Sequence, residues 1–154
     1  MPDATGLELI RQELGEAVLD TGFTHERAVL EIAPERVRDV LAALRLKGYG
    51  FLASLHGVDY YPHEPRLGVL YEMLDRERVD RISVKARVST EDPRIDSVVE
   101  LHPGADFPER EVYDMFGVVF EGHPDLRRIL LPQDWEGHPL LKSYAVDTPH
   151  PPYR

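Results

Sequence analysis

The chain has 154 residues, and its 42% hydrophobic and 30% charged content is typical of one globular domain. Its formal net charge of −10 argues against nucleic acid or anionic lipid as a partner, because both carry charge of the same sign. The absence of cysteine excludes disulfide bonds, thiolate-bound zinc and a cysteine nucleophile, and it places any iron–sulfur cluster on a partner.

No membrane insertion is expected. No apolar run approaches the roughly 18 residues that span a bilayer. The first residues, Met-Pro-Asp-Ala-Thr-Gly, lack the basic and apolar regions of a secretory signal. We therefore expect a protein that stays in the cytoplasm, or that reaches a membrane only through another protein.

The first 48 residues predict two helices and one strand. Apolar residues at helical spacing predict an amphipathic helix over about residues 7–20, which Gly22 ends. A Val-Leu-x-Ile core predicts a short strand over Arg27–Ala33. Pro34 stands where a first-turn proline is tolerated, and the helical spacing after it predicts a second helix that ends at Gly48.

Three further strands are predicted. Tyr49–Leu55 is aromatic and apolar, and Leu67–Leu74 is apolar on both faces, as a central strand would be. Apolar and polar residues alternate over Ile82–Val88, which predicts a sheet with one wet face. The segments His56–Arg66 and Asp75–Arg81 are polar connections. The chain is therefore expected to have an α/β fold of the α+β type, with an open mixed or antiparallel sheet and helices on one face.

A short helix over Ile95–His102 and a longer one over about residues 107–116 are expected next, and Gly117 ends the second. Asp106 and Glu109 have the spacing of a capping box. On the longer helix, Arg110 and Asp114 are i,i+4 neighbours. Such a pair is found at the solvent-exposed start of an ordinary helix as well as in a functional site.

The last part of the chain, residues 132–154, has no helical or strand period and contains five prolines. It still carries large apolar side chains, which need a surface to bury against. We therefore expect a domain over residues 1–131 and a tail that docks on a partner beyond Pro139, while Trp135 docks or folds back. Deletion of residues 140–154 is then expected to keep the melting temperature and to abolish partner binding.

Possible catalytic side chains are few. His56, Asp59, His63 and Glu64 could ligate a metal, but their spacing is unspecific, and a polar loop is the simpler interpretation. A stand-alone metal-dependent hydrolase that uses the first three of these stays open as an alternative. Neither a Gly-x-Gly-x-x-Gly loop nor a P-loop is present, so nothing in the sequence supports nucleotide binding.

The segment Glu109–Leu130 carries the most specific pattern. Glu-Arg-Glu is followed at fixed intervals by Asp114, Met-Phe, His123, Arg127 and Ile-Leu. This pattern resembles the signature of the 30-kilodalton subunit family of respiratory complex I, whose bacterial members are the C subunits of NADH-quinone oxidoreductase. The likeness covers about residues 25–145.

The resemblance implies a subunit without a cofactor of its own, since flavin, iron–sulfur clusters and quinone belong to partner subunits in that family. It implies a peripheral position on the cytoplasmic side of the bacterial inner membrane. The partners would be the large subunit of the quinone pocket and the cluster-bearing subunits. The residues expected to form a structural or interface network are Glu109, Arg110, Glu111, Asp114, His123, Arg127, Arg128 and Trp135. Within it, Arg110 is expected to be at least partly buried between carboxylates.

The likeness is incomplete near its end. Leu141, Ser143 and Ala145 stand where the family usually has arginine, aspartate and proline. The parent complex could therefore be a divergent relative, such as a membrane-bound hydrogenase or a dehydrogenase fed by ferredoxin or a deazaflavin. A free protein-binding module is a further alternative.

Overall fold

The computed structural model describes residues 4–25 and 27–147. Within them, the α-helices are α1 (Ala4–Leu14), α2 (Val37–Leu46) and α3 (Asp106–Phe116). The strands are β1 (Val18–Thr24), β2 (Arg27–Ile32), β3 (Phe51–Asp59), β4 (Leu67–Asp75), β5 (Asp80–Val88), β6 (Arg94–Asp96) and β7 (Val119–Glu121). Short 3₁₀ turns precede β1, α2 and α3 at Gly15–Ala17, Pro34–Arg36 and Pro103–Ala105.

Five strands form one mixed sheet in the order β1-β2-β5-β4-β3. The pair β2–β5 is parallel, and the other three pairs are antiparallel. β6 and β7 form a separate parallel pair. The predicted α/β fold with an open mixed sheet is confirmed.

The two faces of the sheet differ in polarity. Leu30, Tyr71 and Val84 lie on one face and are completely buried, together with apolar side chains from all three helices. Alternate positions such as Ser83 and Lys85 point to the opposite face, because successive side chains of a strand alternate. The face that carries the helices is therefore the core, and the alternation along β5 predicts it correctly.

The first predicted helix is too long. It ends at Leu14 rather than near residue 20, and Gly15 has a left-handed φ of 56°. Ala17 and Val18 are buried as a helical stripe would require, but they belong to a 3₁₀ turn and to β1. The apolar residues keep helical spacing beyond Leu14, so the pattern alone does not indicate that the helix ends there.

The predicted short helix over Ile95–His102 is wrong. Residues 94–96 form β6, and the chain then turns. The backbone N–H of Ser97 donates to Glu121 of the neighbouring strand, and that of Val98 donates to the Glu109 carboxylate. These two groups bind outside the segment, so no helix forms there. β3 also continues to Asp59, four residues beyond its predicted end.

Candidate interface around helix α3

Helix α3 lies directly against β3. A Cβ at Gly57 would lie 2.6 Å from the Phe116 ring, so the absence of a side chain there lets the helix approach the strand. The helix ends at Gly117, whose φ of 79° is left-handed, and a Cβ at that position would meet the ring of His138. Both glycines thus fix where α3 sits and what covers its end.

Glu109 is a buried anchor and not a helix cap. Its side chain is completely buried and accepts hydrogen bonds from the Ser97 hydroxyl at 2.7 Å and the Val98 N–H at 2.8 Å. Burial raises the pKa of this carboxyl, and the two hydrogen bonds oppose the rise. The predicted capping box with Asp106 is absent, because Glu109 instead fastens α3 to the segment after β6.

The carboxylate of Asp114 organises the loop that follows β7. Its Oδ1 accepts Arg128 Nη1 at 2.6 Å. Its Oδ2 accepts the backbone N–H groups of three successive residues, at distances of 2.8–3.1 Å: Ile129, Leu130 and Leu131. Burial raises the pKa of Asp114, but these four donors outweigh it, so the pKa lies below its ordinary value. A buried carboxylate with so many donors remains ionised and holds the loop in one conformation.

Arg128 joins α3 to the tail. Besides the carboxylate, it donates to the main-chain carbonyl of Asp114 at 3.1 Å. Its second terminal nitrogen donates to the carbonyls of Trp135 at 2.9 Å and Gly137 at 2.8 Å. Helix, loop and tail therefore converge on one guanidinium group.

Arg110 is buried, as expected, but its partners are not carboxylates. It is 8% exposed and donates to the carbonyls of Arg127 and Arg128, both at 3.2 Å. Its guanidinium also lies 5.7 Å from the centre of the exposed Phe107 ring. The expectation that Arg110 sits between carboxylates is wrong; it supports the loop backbone.

The other three polar residues of the motif make separate local contacts. Glu111 is exposed, and Arg127 pairs with Asp125 at 2.8 Å on the surface. The His123 ring is buried: Nε2 lies 3.1 Å from the Asp106 carbonyl, while Nδ1 accepts the Asp125 N–H at 3.0 Å. Since a carbonyl only accepts, Nε2 is the donor in the contact with Asp106. The motif therefore forms several local anchors instead of one continuous charged network.

The first half of the tail folds onto the domain. Trp135 is 9% exposed, and the N–H of Leu140 donates to the Met115 carbonyl at 3.0 Å. Leu141 packs against the core. The N–H of Lys142 donates to Asp59 at 2.7 Å, and Asp59 also binds Arg66 through two hydrogen bonds of 2.7 and 2.8 Å. Whether the tail also docks on a partner stays a prediction.

The Asp59–Arg66 pair is a structural site that the sequence does not reveal. The sequence draws attention to Asp59 only as a possible metal ligand, but its oxygens are already bound by Arg66 and two backbone N–H groups. The hydrogen bonds from Arg66 lower the pKa of Asp59 far below its ordinary value, although burial opposes them. Over residues 4–25 and 27–147, no three His, Asp or Glu side chains are grouped as metal ligands.

Sequence comparison identifies the family. The model for the 30-kilodalton subunit of respiratory-chain NADH dehydrogenase matches residues 30–150. The chain belongs to this family. It is 42% identical to the C subunit of NADH-quinone oxidoreductase from Roseiflexus sp. (strain RS-1), over 95% of this chain and 86% of that protein. It is 45% identical to NADH-quinone oxidoreductase subunit 5 of Thermus thermophilus, over 88% of this chain and 69% of that protein.

Solved structures share the fold. A trypsin-resistant fragment of Nqo5 is similar with a TM-score of 0.68 and 36% identity, over 82% of this chain and all of the fragment. A chain of the archaeal membrane-bound sulfane sulfur reductase has a TM-score of 0.70 at 24% identity, over 83% of this chain and 75% of that chain, and shows likeness of fold alone. In the described part of the chain, no helix is long and apolar enough to cross a bilayer.

In this member of the family, apolar side chains surround α3 at the surface. Phe107, Leu130 and Leu140 are 64%, 61% and 53% exposed. Glu111 and Leu140 line a groove of about 190 Å³ beside Phe116. We refer to Phe107, Glu111, Leu130 and Leu140 together as the α3 surface. Its backbone is held by the buried Asp114 and its partner Arg128, so these side chains are presented by a rigid support.

Proposed function

We propose that the chain is a cofactor-free scaffold subunit in the peripheral arm of a proton-translocating NADH:quinone oxidoreductase. It holds the quinone-reducing module together on the cytoplasmic side of the membrane. Its partners are the large subunit of the quinone pocket and the cluster-bearing subunits. Flavin, iron–sulfur clusters and quinone lie on those partners, and this chain supplies no catalytic group.

The observation that carries the proposal is the geometry around Leu130. Its N–H is bonded to the buried Asp114 carboxylate, while 61% of the residue is exposed. A buried carboxylate thus fixes a backbone whose exposed apolar side chain points outward. Exposed apolar area costs roughly 25 cal/mol per Å², and a partner that covers it recovers that free energy. A rigid apolar surface of this kind serves to bind a protein and requires no catalytic pocket.

The test compares two leucines of equal exposure. Leu130 lies on the α3 surface and is 61% exposed, and Leu9 on α1 is 60% exposed. Tagged chains carrying Leu130→Asp or Leu9→Asp are purified from native host membranes, and the co-purifying subunits are quantified. We expect Leu130→Asp to reduce recovery of the large subunit at least tenfold and Leu9→Asp to leave it unchanged. Equal recovery with both variants would contradict the proposed α3 interface.

The same purification identifies the parent complex. An NADH-binding flavoprotein among the co-purifying chains supports the NADH:quinone oxidoreductase. Hydrogenase metal-site subunits would instead assign the chain to a related membrane-bound hydrogenase, and a ferredoxin- or deazaflavin-dependent subunit to the corresponding dehydrogenase.

The isolated chain provides a separate check on the absence of cofactors. The purified protein is expected to show no flavin or cluster absorbance and no NADH oxidation. Stoichiometric iron, zinc or flavin in a carefully purified sample would overturn the scaffold proposal.

A further inference from the structure

The sheet face opposite α3 forms an open, polar cleft. The cleft has a volume of about 370 Å³, and residues of β2, β4 and β5 line it together with Thr24 and Tyr60. Tyr60 lies over the backbone of Gly68, where a Cβ would approach its ring to 2.5 Å. The guanidinium of Arg87 lies 4.7 Å from the centre of the same ring. One end of the cleft is thus closed by an aromatic side chain, and the rest faces outward.

Three arginines on this face have no carboxylate partner among the described residues. Lys85, by contrast, is paired with Glu31 at 2.8 Å. Arg87 donates to the carbonyls of Pro65 and His63, which leaves its charge uncompensated. Arg27 and Arg81 point to the same face by register and form no ion pair within the described residues. In a chain of net charge −10, such a concentration of cations attracts an acidic partner.

One oxygen of a buried carboxylate in the cleft has no hydrogen-bond partner among the described residues. Glu72 is 8% exposed, and its Oε1 accepts the Ser83 hydroxyl at 2.7 Å. Its Oε2 is buried and has no hydrogen-bond partner in the described structure. An unpaired buried acceptor destabilises the folded chain, so an N–H or O–H donor supplied from outside the chain would stabilise this position.

We propose that this open face docks an acidic segment of another subunit of the same complex. Carboxylates of the segment pair with Arg27 and Arg81, and one of its N–H or O–H groups donates to Glu72 Oε2. The inference rests on the proposed scaffold function and extends it, since the open face and the α3 surface lie on opposite sides of the sheet. The protein would then contact other subunits on both sides of its sheet instead of on one side.

Site-specific photocrosslinking in the assembled complex tests the inference. The photoreactive residue p-benzoylphenylalanine is placed at Thr24 in the cleft, at Phe107 on the α3 surface, or at Glu35 as an exposed control. Adducts are identified by mass spectrometry. The Thr24 experiment is repeated with Arg27→Glu and Arg81→Glu together, and with Arg11→Glu on α1 as a control for the change of charge.

We expect Thr24 to give an adduct with an acidic stretch of another subunit. The double charge reversal should reduce its yield at least fivefold, and Arg11→Glu should not. No adduct, an adduct with lipid, nucleic acid or a second copy of this chain, or a yield insensitive to charge reversal would overturn the inference. An adduct from Phe107 but none from Thr24 leaves the scaffold function intact, whereas the absence of both rejects both proposals.

Discussion

The backbone N–H of Lys142 donates to Asp59 at 2.7 Å across 83 residues of sequence. The same carboxylate binds Arg66, and Arg66 in turn donates to the Ser143 hydroxyl at 3.3 Å. Ser143 is one of the three positions at which this chain departs from the family pattern. The departure therefore lies where the tail meets the end of β3, on this chain's own domain.

Deletion of residues 140–154 should destabilise the domain by about 2–4 kcal/mol. The deletion removes the hydrogen bonds of Leu140 and Lys142 and the packing of Leu141, each a contribution of about 1 kcal/mol or more. The sequence alone predicts an unchanged melting temperature, and these contacts reverse that expectation. Deletion of residues 148–154 keeps all of these contacts and is the control. Urea unfolding of both truncations checks the difference.

Asp114→Asn should reduce the free energy of unfolding by about 3–5 kcal/mol, because it leaves the Arg128 guanidinium, which is 11% exposed, without its charged partner. Glu111→Gln is the matched control, since it removes one negative charge from the exposed side of the same helix. Denaturant unfolding of both variants at neutral pH provides the measurement. A similarly small loss of unfolding free energy in both variants would mean that the contacts of Asp114 do not stabilise the fold.

Arg110→Ala should lower the free energy of unfolding by about 1.5–3 kcal/mol, which is the range for hydrogen bonds from a charged donor. It deprives the carbonyls of Arg127 and Arg128 of one donor each. Arg127→Ala removes an arginine that is 58% exposed and pairs with Asp125 on the surface, so it should lower the free energy of unfolding much less. Thermal and chemical denaturation of the two variants would distinguish them, and equal losses would show that Arg110 acts as a surface residue.

Glu109→Gln should change how stability depends on pH. Burial raises the pKa of Glu109 in the folded chain above its ordinary value of 4.5. Between that value and the raised pKa the folded state holds the proton more tightly, so wild-type stability falls as pH rises. Glutamine preserves an acceptor for Val98 and adds a donor for Ser97, but it does not titrate. In urea titrations, the free energy of unfolding of Glu109→Gln relative to that of the wild type should therefore increase from pH 4 to pH 7. A difference that stays constant with pH would contradict the raised pKa of Glu109.

The fold was predictable where local pattern and tertiary contact agree. The alternation of Ile82–Val88 and the stop at Gly117 are local signals, and both are correct. The pattern fails at Ala17 and Val18, whose apolar spacing suits a helix and a buried strand end equally well. It fails again at Ser97 and Val98, because distant oxygens take their hydrogen bonds.

The pairing within the site could not be predicted from the sequence. Asp114 and Arg128 are both among the residues expected to form a network, and the structure brings them together as an ion pair. It gives no sign that Arg110 would bind carbonyls, because backbone carbonyls occur at every position and carry no signal in the sequence. Asp59 and Arg66 lie side by side where β3 and β4 meet, and Lys142 reaches Asp59 from a distant part of the chain, so spacing along the chain does not suggest their role.

The parallel contact between β2 and β5 has a consequence for how the chain folds. Hairpin β1–β2 and meander β3–β4–β5 each join neighbouring stretches of sequence, and both can close over short loops. The pairing of Leu30 with Val84 instead requires closure of a long loop that contains α2. We expect the β2–β5 pairing to form last, after the β1–β2 hairpin and the β3–β4–β5 meander have formed. Core substitutions such as Leu30→Ala should then speed unfolding more than they slow folding, which stopped-flow kinetics would reveal.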